Sequence, residues 1–269
     1  MTRSRPLALV TGASSGIGRA LARLLARDGY DLIVIARRRE RLQELAAELV
    51  PGGARVEPLV ADLTEPAEVA RVAERAAAEP LALLVNNAGF GGYGPFVAID
   101  PAVLHDLLAI HVTTPATLVR AVLPGMVARG AGAVVTVSSL LSLSGPLRMG
   151  MAGRATYAGA KSFQLVFTQA LAAELEGTGV RAMVCLPGMV ESEFHGGRSL
   201  AGRPGVPPLM SAEDCAAAIV AGLRLGGVVC VPGLDDAAEL FERLAGLQQA
   251  ALRGGNSAGA LAARYGDRR

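Results

Sequence analysis

Short apolar runs alternate with longer amphipathic stretches along nearly the whole chain of 269 residues. Most of the short runs are almost continuous in Val, Ile, Leu and Ala, which is typical of strands buried on both faces of a parallel sheet. These runs predict strands at residues 7–10, 31–36, 56–61, 81–86, 133–138, 181–186 and 227–231. The amphipathic stretches predict helices at residues 18–28, 38–49, 66–78, 101–129, 156–176 and 212–225.

The regular alternation of strand and helix predicts the architecture. Successive parallel strands need crossover connections, and these are almost always right-handed. The sequence therefore predicts a single α/β domain, with a doubly wound parallel sheet of about seven strands flanked by helices. We assign residues 1–234 to this domain, including an irregular lobe with many Gly and Pro residues at about 188–210. Residues 235–269 are predicted to form a C-terminal helical extension of the same domain.

Composition and charge narrow the classes of partner. The chain is 51% hydrophobic and 4% aromatic, with a formal net charge of +2 and a mean hydropathy of +0.39. We expect a packed globule that binds neither nucleic acid nor membrane. The apolar run at 7–10 is too short for a signal peptide, and no charge-free apolar run reaches about 18 residues. The three cysteines lack metal-binding spacing, which predicts no metal site and fits a reducing cytoplasm.

A glycine-rich turn follows the first predicted strand and leads directly into a helix. In an open α/β sheet, ligands bind beyond the carboxyl ends of the strands, so this turn is a candidate site. Its sequence TGASSGIG spaces three glycines as G-x3-G-x-G, which lets a pyrophosphate approach the backbone at the helix N-terminus. The alternative is a tight turn without a ligand. The expected contacts are Gly12, Ser14, Ser15, Gly16, Ile17 and Gly18.

Arginines after the second predicted strand indicate which dinucleotide would bind. An NAD-preferring site usually carries Asp or Glu here to hold the ribose 2′-hydroxyl. This chain has Ala36 followed by three arginines, and cations oppose the dipole at a helix N-terminus. A 2′-phosphate bound to Arg37 or Arg38 would relieve that conflict, so the sequence predicts a preference for NADP(H). The alternative is a solvated charge run that opens a helix.

Polar residues also end the third and fourth predicted strands. Asp62 follows the third strand and could accept a hydrogen bond from an adenine amino group. Asn86 and Asn87 follow the fourth strand, where they could brace the neighbouring strands and the ribose, or simply cap the strand end. The expected cofactor contacts at these two strand ends are Asp62, Leu63, Asn87, Ala88 and Gly89.

Tyr157 and Lys161 open the helix after the fifth predicted strand, and their spacing of four residues places both side chains on one face. A tyrosine with its usual pKa of about 10 is a poor acid–base group at neutral pH. A nearby ammonium, with the positive nicotinamide of an oxidised cofactor, is expected to lower that pKa. Lys161 is the only lysine in the chain, which favours a functional role over a chance surface lysine. Ser139 closes the fifth strand, where its hydroxyl could hold a substrate oxygen beside Tyr157.

Together these motifs resemble the short-chain dehydrogenase/reductase family over roughly residues 7–232. The resemblance rests on TGASSGIG, ADL, NNAG, the Ser139/Tyr157/Lys161 set and Pro187-Gly188, which occur in that order. Within the family, NNAGFGGYGPF, AVLPGM and LPGMVESEF are similar to the DltE-like oxidoreductases. The resemblance implies a Rossmann-type fold, an NADP(H) cofactor, a homodimer or homotetramer, and a substrate lobe at 188–210. It also implies that the nicotinamide carboxamide meets Pro187, Gly188, Val190 and Ser192.

The chain departs from the family pattern in the middle of the long predicted helix. Relatives carry an asparagine there that supports a water relay from the lysine, whereas this chain has His111. A histidine can also hydrogen-bond and titrate. His111 is therefore a satisfied core histidine, a working catalytic substitute, or a sign of weakened redox activity.

A second departure concerns the loop between Ser139 and Tyr157, which lie farther apart than in typical relatives. The additional residues fall within 144–154, where Leu147, Met149 and Met151 predict a mostly apolar substrate pocket. The resulting expectation is hydride transfer between NADP(H) and a small-molecule carbonyl or alcohol. The alternatives are non-redox chemistry on the same fold and a cofactor-bound regulatory protein. The remaining histidines, His105 and His195, are expected at the surface.

Overall fold

The computed structural model describes residues 5–147, 153–195, 202, 206–257, 259 and 262. The chain divides into two compact units, Met1–Gly233 and Leu234–Arg269. The first unit contains a seven-stranded sheet whose neighbouring strands are all parallel. Its strands are β1 (Leu7–Thr11), β2 (Asp31–Ala36), β3 (Val56–Val60), β4 (Leu81–Asn86), β5 (Gly132–Val137), β6 (Val180–Cys185) and β7 (Val229–Cys230). The predicted doubly wound sheet is confirmed.

The strand order is β3-β2-β1-β4-β5-β6-β7, so the direction of winding reverses between β1 and β4. These two strands pair in parallel, with Val10 opposite Val85 near their carboxyl ends. Their carboxyl ends therefore lie side by side, and the glycine turn after β1 meets the segment after β4. This is the switch-point crevice at which open α/β sheets bind ligands.

Helices connect the strands close to the predicted positions. They are α1 (Gly16–Arg27), α2 (Arg39–Leu49), α3 (Pro66–Ala77), α4 (Pro101–Leu108), α5 (Thr114–Arg129), α6 (Ala155–Glu174) and α7 (Ala212–Leu225). Helix α1 begins at Gly16, two residues earlier than predicted. The prediction of one continuous helix at 101–129 was wrong, because a π turn at Ala109–Thr113 separates α4 from α5. His105 is exposed on α4, as predicted.

The core lies on both faces of the sheet, because successive strand residues point to opposite sides. In β1, Ala8 and Val10 belong to one cluster, which packs against α1, α2 and α7. Leu9 belongs to the other, which packs against α3 and α5. Such two-sided burial explains why the strands are nearly continuous apolar runs.

The stretch Pro101–Arg129 is long and apolar enough to cross a membrane. Buried core helices meet the same criteria, and 44% of its most apolar window is buried inside the protein. Leu118, Val122 and Met126 of α5 belong to the core, so we interpret this stretch as a core helix. In the second unit, helix α8 spans Ala237–Ser257. That residues 235–269 extend the same domain stays a prediction.

Candidate active site

The predicted glycine turn forms a bare backbone cradle against the end of β4. Gly12 and Gly16 have φ angles of +69° and +52°, a region that residues with side chains rarely adopt. A Cβ on Gly18 would lie 2.4 Å from the Gly12 carbonyl oxygen, so only glycine lets α1 pack this closely on the turn.

Thr11 and Asn87 hold the turn to β4. The Thr11 hydroxyl donates to the Val85 carbonyl at 3.2 Å and accepts from the backbone N–H groups of Asn87 and Ala88 at 2.9 and 3.0 Å. The Asn87 amide donates to the Thr11 carbonyl at 2.9 Å, so the predicted bracing contact is confirmed. Sequence reasoning missed Thr11, although a hydroxyl at the end of a buried strand is itself a signal, because it needs partners.

The N-terminus of α1 offers hydrogen-bond donors to the crevice. Ser15 is the N-cap residue, yet its side chain makes no cap hydrogen bond to the helix. Ser15, together with Ser14 and Gly16, lines a cleft of about 460 Å³. Free first-turn N–H groups and the positive end of a helix dipole are suited to a pyrophosphate. The residues present therefore fit a dinucleotide.

Arg38 lies across the glycine turn. Its guanidinium donates to the Ser14 hydroxyl at 2.9 Å and to the Ser15 hydroxyl at 2.8 Å. It also forms a salt bridge of 2.5 Å with Glu193, which Arg41 approaches at 3.8 Å. Glu193 belongs to the predicted substrate lobe, so this contact links the lobe to the arginines after β2.

Arg37 points to another part of the crevice, where it lies 3.6 Å from Asp62. The Asp62 carboxylate also accepts from the backbone and hydroxyl of Thr64 at 3.0 and 2.7 Å. Burial would raise the pKa of Asp62, but these hydrogen bonds and the Arg37 charge outweigh it and lower the pKa. Asp62 is therefore an ionised acceptor at neutral pH. Leu63, beside it, is buried.

Tyr157 lies in a cluster of aromatic rings and is only 5% exposed. Its ring centroid lies 5.3 Å from that of Tyr93, 5.4 Å from that of His111 and 5.8 Å from that of Phe194. The side chains of Ser139 and Tyr93 lie close enough to its hydroxyl to change its pKa. The structure thus brings Ser139 beside Tyr157, as expected. Sequence reasoning missed Tyr93, whose signal was a tyrosine within the glycine run after Asn86-Asn87.

The side chains around Tyr157 raise its pKa. The expectation that the nearby ammonium lowers it was therefore wrong. Burial raises the pKa of Tyr157 well above its usual value and the neighbouring Tyr93 adds to the rise, while the Ser139 side chain opposes it. The Lys161 Nζ atom lies 5.6 Å from the Tyr157 ring centroid and donates to other acceptors. At neutral pH, Tyr157 is therefore a protonated phenol, which is the form that can donate a proton.

Lys161 is 3% exposed, so it is not a surface lysine. Its Nζ atom donates to the Val137 carbonyl at 2.9 Å and to the Gln164 Oε1 atom at 3.1 Å. Burial lowers the pKa of Lys161 to about 7. The Ser138 hydroxyl donates to the Lys161 carbonyl at 2.8 Å, which anchors this turn of α6 to the end of β5.

His111 is completely buried in the π turn. Its Nε2 atom lies 2.8 Å from the Phe90 carbonyl, and its Nδ1 atom has no hydrogen-bond partner among the described residues. Burial and the Lys161 charge hold the pKa of His111 well below 6.5, so the expectation that it could titrate was wrong. The ring fits because Gly89 lacks a Cβ, which would lie 2.3 Å from His111 Cε1.

The segment after β6 lies over the glycine turn. The Pro187 carbonyl accepts from the Leu140 N–H at 3.0 Å, and Val190 forms a parallel bridge with Met210. Ser192 comes so close to the turn that a Cβ on Gly16 would lie 3.1 Å from the Ser192 Cβ. A Cβ on Gly188 would lie 3.6 Å from the Leu140 side chain, so this glycine is not tightly packed. Residues 196–201 and 203–205 of the predicted lobe lie outside the described residues, as does the side chain of His195.

The described ends of the loop 144–154 are anchored. The Arg154 guanidinium donates to the hydroxyl and the carbonyl of Ser144 at 3.2 and 3.1 Å. The Gly153 carbonyl accepts from the Gly94 N–H at 2.9 Å. Leu147 is 54% exposed, which leaves its side chain available for a ligand. The predicted pocket residues Met149 and Met151 lie outside the described residues.

Comparison with known proteins identifies the family. Residues 6–200 match the model of the short chain dehydrogenase family. The chain is 41% identical over 193 residues to a short chain dehydrogenase from Pseudocercospora fijiensis; the match covers 70% of this chain and 60% of that relative. A short-chain dehydrogenase from Sphingobium yanoikuyae in complex with NADPH superposes with a TM-score of 0.87 at 33% identity, over 97% of this chain and 100% of that one.

A second solved structure adds a relative of stated specificity. The bulky-bulky ketone specific alcohol dehydrogenase from Comamonas testosteroni superposes with a TM-score of 0.84 at 29% identity, over 98% of this chain and 100% of that one. The finer resemblance to the DltE-like members stays a prediction. The family model, the sheet order and the Rossmann-type crevice agree, and the chain belongs to the short-chain dehydrogenase family of oxidoreductases.

Proposed function

We propose that the protein transfers a hydride between NADP(H) and the carbonyl or secondary-alcohol carbon of a bulky, mostly apolar molecule. The observation that carries this proposal is the buried side chain of Tyr157, which lies beside Ser139 within a cluster of aromatic rings. The NADPH complex of the Sphingobium relative and the ketone specificity of the Comamonas relative support it.

The cofactor would lie along the crevice, with its pyrophosphate on the backbone of Gly12, Gly16 and Gly18. Arg38 is the candidate ligand for the 2′-phosphate, because it already lies across the turn, whereas Arg37 pairs with Asp62. The segment from Pro187 to Ser192 would close over the nicotinamide end. When bound, NADPH supplies the hydride that reduces the carbonyl carbon.

The side chains of this protein supply the proton and orient the substrate. Ser139 donates a hydrogen bond to the substrate oxygen, and Tyr157 transfers its phenolic proton to that oxygen as the alcohol forms. The raised pKa of Tyr157 keeps the phenol protonated at neutral pH, as a general acid requires. The products are the alcohol and NADP⁺, and Tyr157 regains its proton from solvent. In oxidation the same groups act in reverse.

The side chains around Tyr157 support a bulky, apolar substrate. The rings of Tyr93 and Phe194 both pack against its ring. Leu140 and Leu147 are 40% and 54% exposed, and both lie in the chain segment that leads from Ser139 toward Tyr157. Aromatic and aliphatic walls around a few polar groups are typical of small-molecule pockets.

A panel of ketones tests the proposal. NADPH oxidation, followed by its absorbance, is expected to be faster with ketones that carry two bulky apolar groups than with acetone or with charged keto acids. A higher kcat/KM for the charged compounds would contradict the apolar substrate class. Conversion of a substrate without change in NADPH would instead favour non-redox chemistry on this fold.

Replacement of Arg38 by Leu tests the cofactor preference. Loss of a charge-assisted contact of about 1.5–3 kcal/mol should raise the Kd for NADPH roughly 10- to 150-fold, and the Kd for NADH much less. Arg37→Leu is the matched control, with a smaller expected effect because Arg37 pairs with Asp62. Fluorescence titration of each nucleotide measures the Kd. An equal loss of affinity for both nucleotides in Arg38→Leu would show that Arg38 does not recognise the 2′-phosphate.

We further propose that the protein is a cytoplasmic homodimer or homotetramer. Exposed apolar side chains on α5 and α6 support self-association: Val127 is 42% exposed, Phe163 37% and Val166 61%. Light scattering on the purified protein measures its mass in solution.

A further inference from the structure

Gln164 is a buried polar residue to which the proposed reaction gives no role. It lies on α6, three residues after Lys161, and is 2% exposed. A glutamine is seldom buried so completely unless its amide finds partners. Both ends of this amide have one: Oε1 accepts from the Lys161 Nζ atom at 3.1 Å, and Nε2 donates to the His111 carbonyl at 2.9 Å.

The π turn explains why a carbonyl inside a helical stretch receives this bond. Ala109–Thr113 interrupts the regular ladder between α4 and α5, and such interruptions are common at functional sites. The inserted amide of Gln164 therefore joins α6 to the π turn. Through that amide the ammonium of Lys161 is tied to the backbone of His111.

The contacts of Lys161 leave it little freedom. An ammonium has three donors, and the Val137 carbonyl and Gln164 Oε1 accept two of them. The titratable side chains that the described part of the chain places against Lys161 are those of Tyr157, on the same helix, and His111, on the π turn. Both side chains are uncharged at neutral pH. Neither of them therefore neutralises the charge of the Lys161 ammonium.

We propose that Gln164 is a positioning residue of the catalytic centre, which fixes the Lys161 ammonium beside Tyr157 without neutralising it. An amide does not titrate near neutral pH, so it can hold the ammonium in place without adding a charge of its own. A carboxylate at the same position would form an ion pair, and an apolar side chain would leave both the ammonium and the His111 carbonyl without a partner. That Gln164 serves catalysis rests on the proposed function. The two hydrogen bonds of its amide do not depend on that function.

The single lysine permits a direct test. In protein labelled biosynthetically with [ε-¹³C]lysine, one carbon signal reports the titration of Lys161, with no assay of activity. In the wild type, its pKa is expected at about 7. Gln164→Glu should raise the pKa of Lys161 by about 1–3 units because it adds an opposite charge within contact distance. Gln164→Leu should lower the pKa, because it removes the acceptor. Gln43→Glu, an exposed glutamine on α2, is the control and should leave the titration unchanged.

The pH profile of the reaction is the second readout. If protonated Lys161 is required, kcat/KM falls as the pH rises through its pKa, and Gln164→Glu should extend activity to higher pH. Unchanged lysine titration and pH profiles in both Gln164 variants, with only the melting temperature lowered, would overturn the inference and leave a structural role. If Gln164→Leu does not fold, Gln164→Glu and Gln164→Asn decide the same question. A wild type that titrates as expected but does not oxidise NADPH would refute the proposed function alone.

Discussion

Replacement of Tyr157 by Phe is expected to lower kcat about 10²- to 10⁴-fold, because the reaction loses its positioned proton donor. The phenylalanine ring can keep the contacts with His111 and Phe194, since these involve the ring and not the hydroxyl. The fold should therefore be retained, and NADPH should bind with an unchanged Kd. The loss should appear in kcat and not only in KM, because the proton is transferred in the transition state.

The neighbouring tyrosine provides a control for this prediction. Tyr93→Phe removes a hydroxyl from the same cluster, and the Tyr93 ring packs against that of Tyr157. We expect a change in kcat of less than about tenfold, since a single neutral hydrogen bond contributes about 1 kcal/mol. Steady-state rates of NADPH oxidation and fluorescence titration of NADPH measure the two quantities. Turnover by Tyr157→Phe at wild-type rate would exclude the phenol as the proton donor.

Replacement of Lys161 by Arg is expected to lower kcat/KM by about 10²-fold or more, and the free energy of unfolding by about 1–3 kcal/mol. Arginine replaces lysine everywhere else in this chain, so the change tests what only lysine can do here. The space around Lys161 is closed, and the larger guanidinium must displace its neighbours. The guanidinium also stays charged, whereas burial lowers the pKa of Lys161 to about 7.

Lys161→Met separates the charge from the packing. This variant should be as inactive as Lys161→Arg. It should be less destabilised at pH 7, because methionine has a side chain of similar length to lysine but no buried charge. The folded-state pKa of about 7 lies below the unfolded value of 10.5, so the unfolded chain binds more protons between these two pH values. The wild type should therefore gain stability relative to Lys161→Met by about 1.4 kcal/mol per pH unit as the pH rises through this window. Urea unfolding at pH 7 and pH 9 measures the difference, and a constant difference would contradict the lowered pKa.

Much of the fold could be predicted from the sequence, because the apolar runs of a two-sided parallel sheet are local patterns. β2 and β4 lie at the predicted residues, and the glycine turn lies where its spacing placed it. The π turn at Ala109–Thr113 could not be predicted in this way, since the stretch 101–129 has continuous helical periodicity. Its position follows from contacts with Phe90 and Gln164, which are distant in sequence.

In the candidate site, too, some properties could be predicted from the sequence and others depend on the packed fold. The spacing of Tyr157 and Lys161 determined that they share a helix face, because helix geometry is fixed by sequence separation alone. Burial decided the direction in which the pKa values of Tyr157 and Lys161 shift. Burial depends on what the rest of the chain packs around a group. That is why the side chains around Tyr157 raise its pKa instead of lowering it, and why the partners of Arg37 and Arg38 differ although the residues are adjacent.

The sequence by itself determined the family, the order of the elements and the residues that bear the chemistry, because each of these is a pattern of spacing along the chain. Only the tertiary structure decided the state of those residues: a protonated Tyr157, a lysine of low pKa, a neutral His111 and the amide of Gln164 between them. The physical reason is that desolvation and hydrogen bonding act between groups that are close in space, and closeness in space is set by the packed fold.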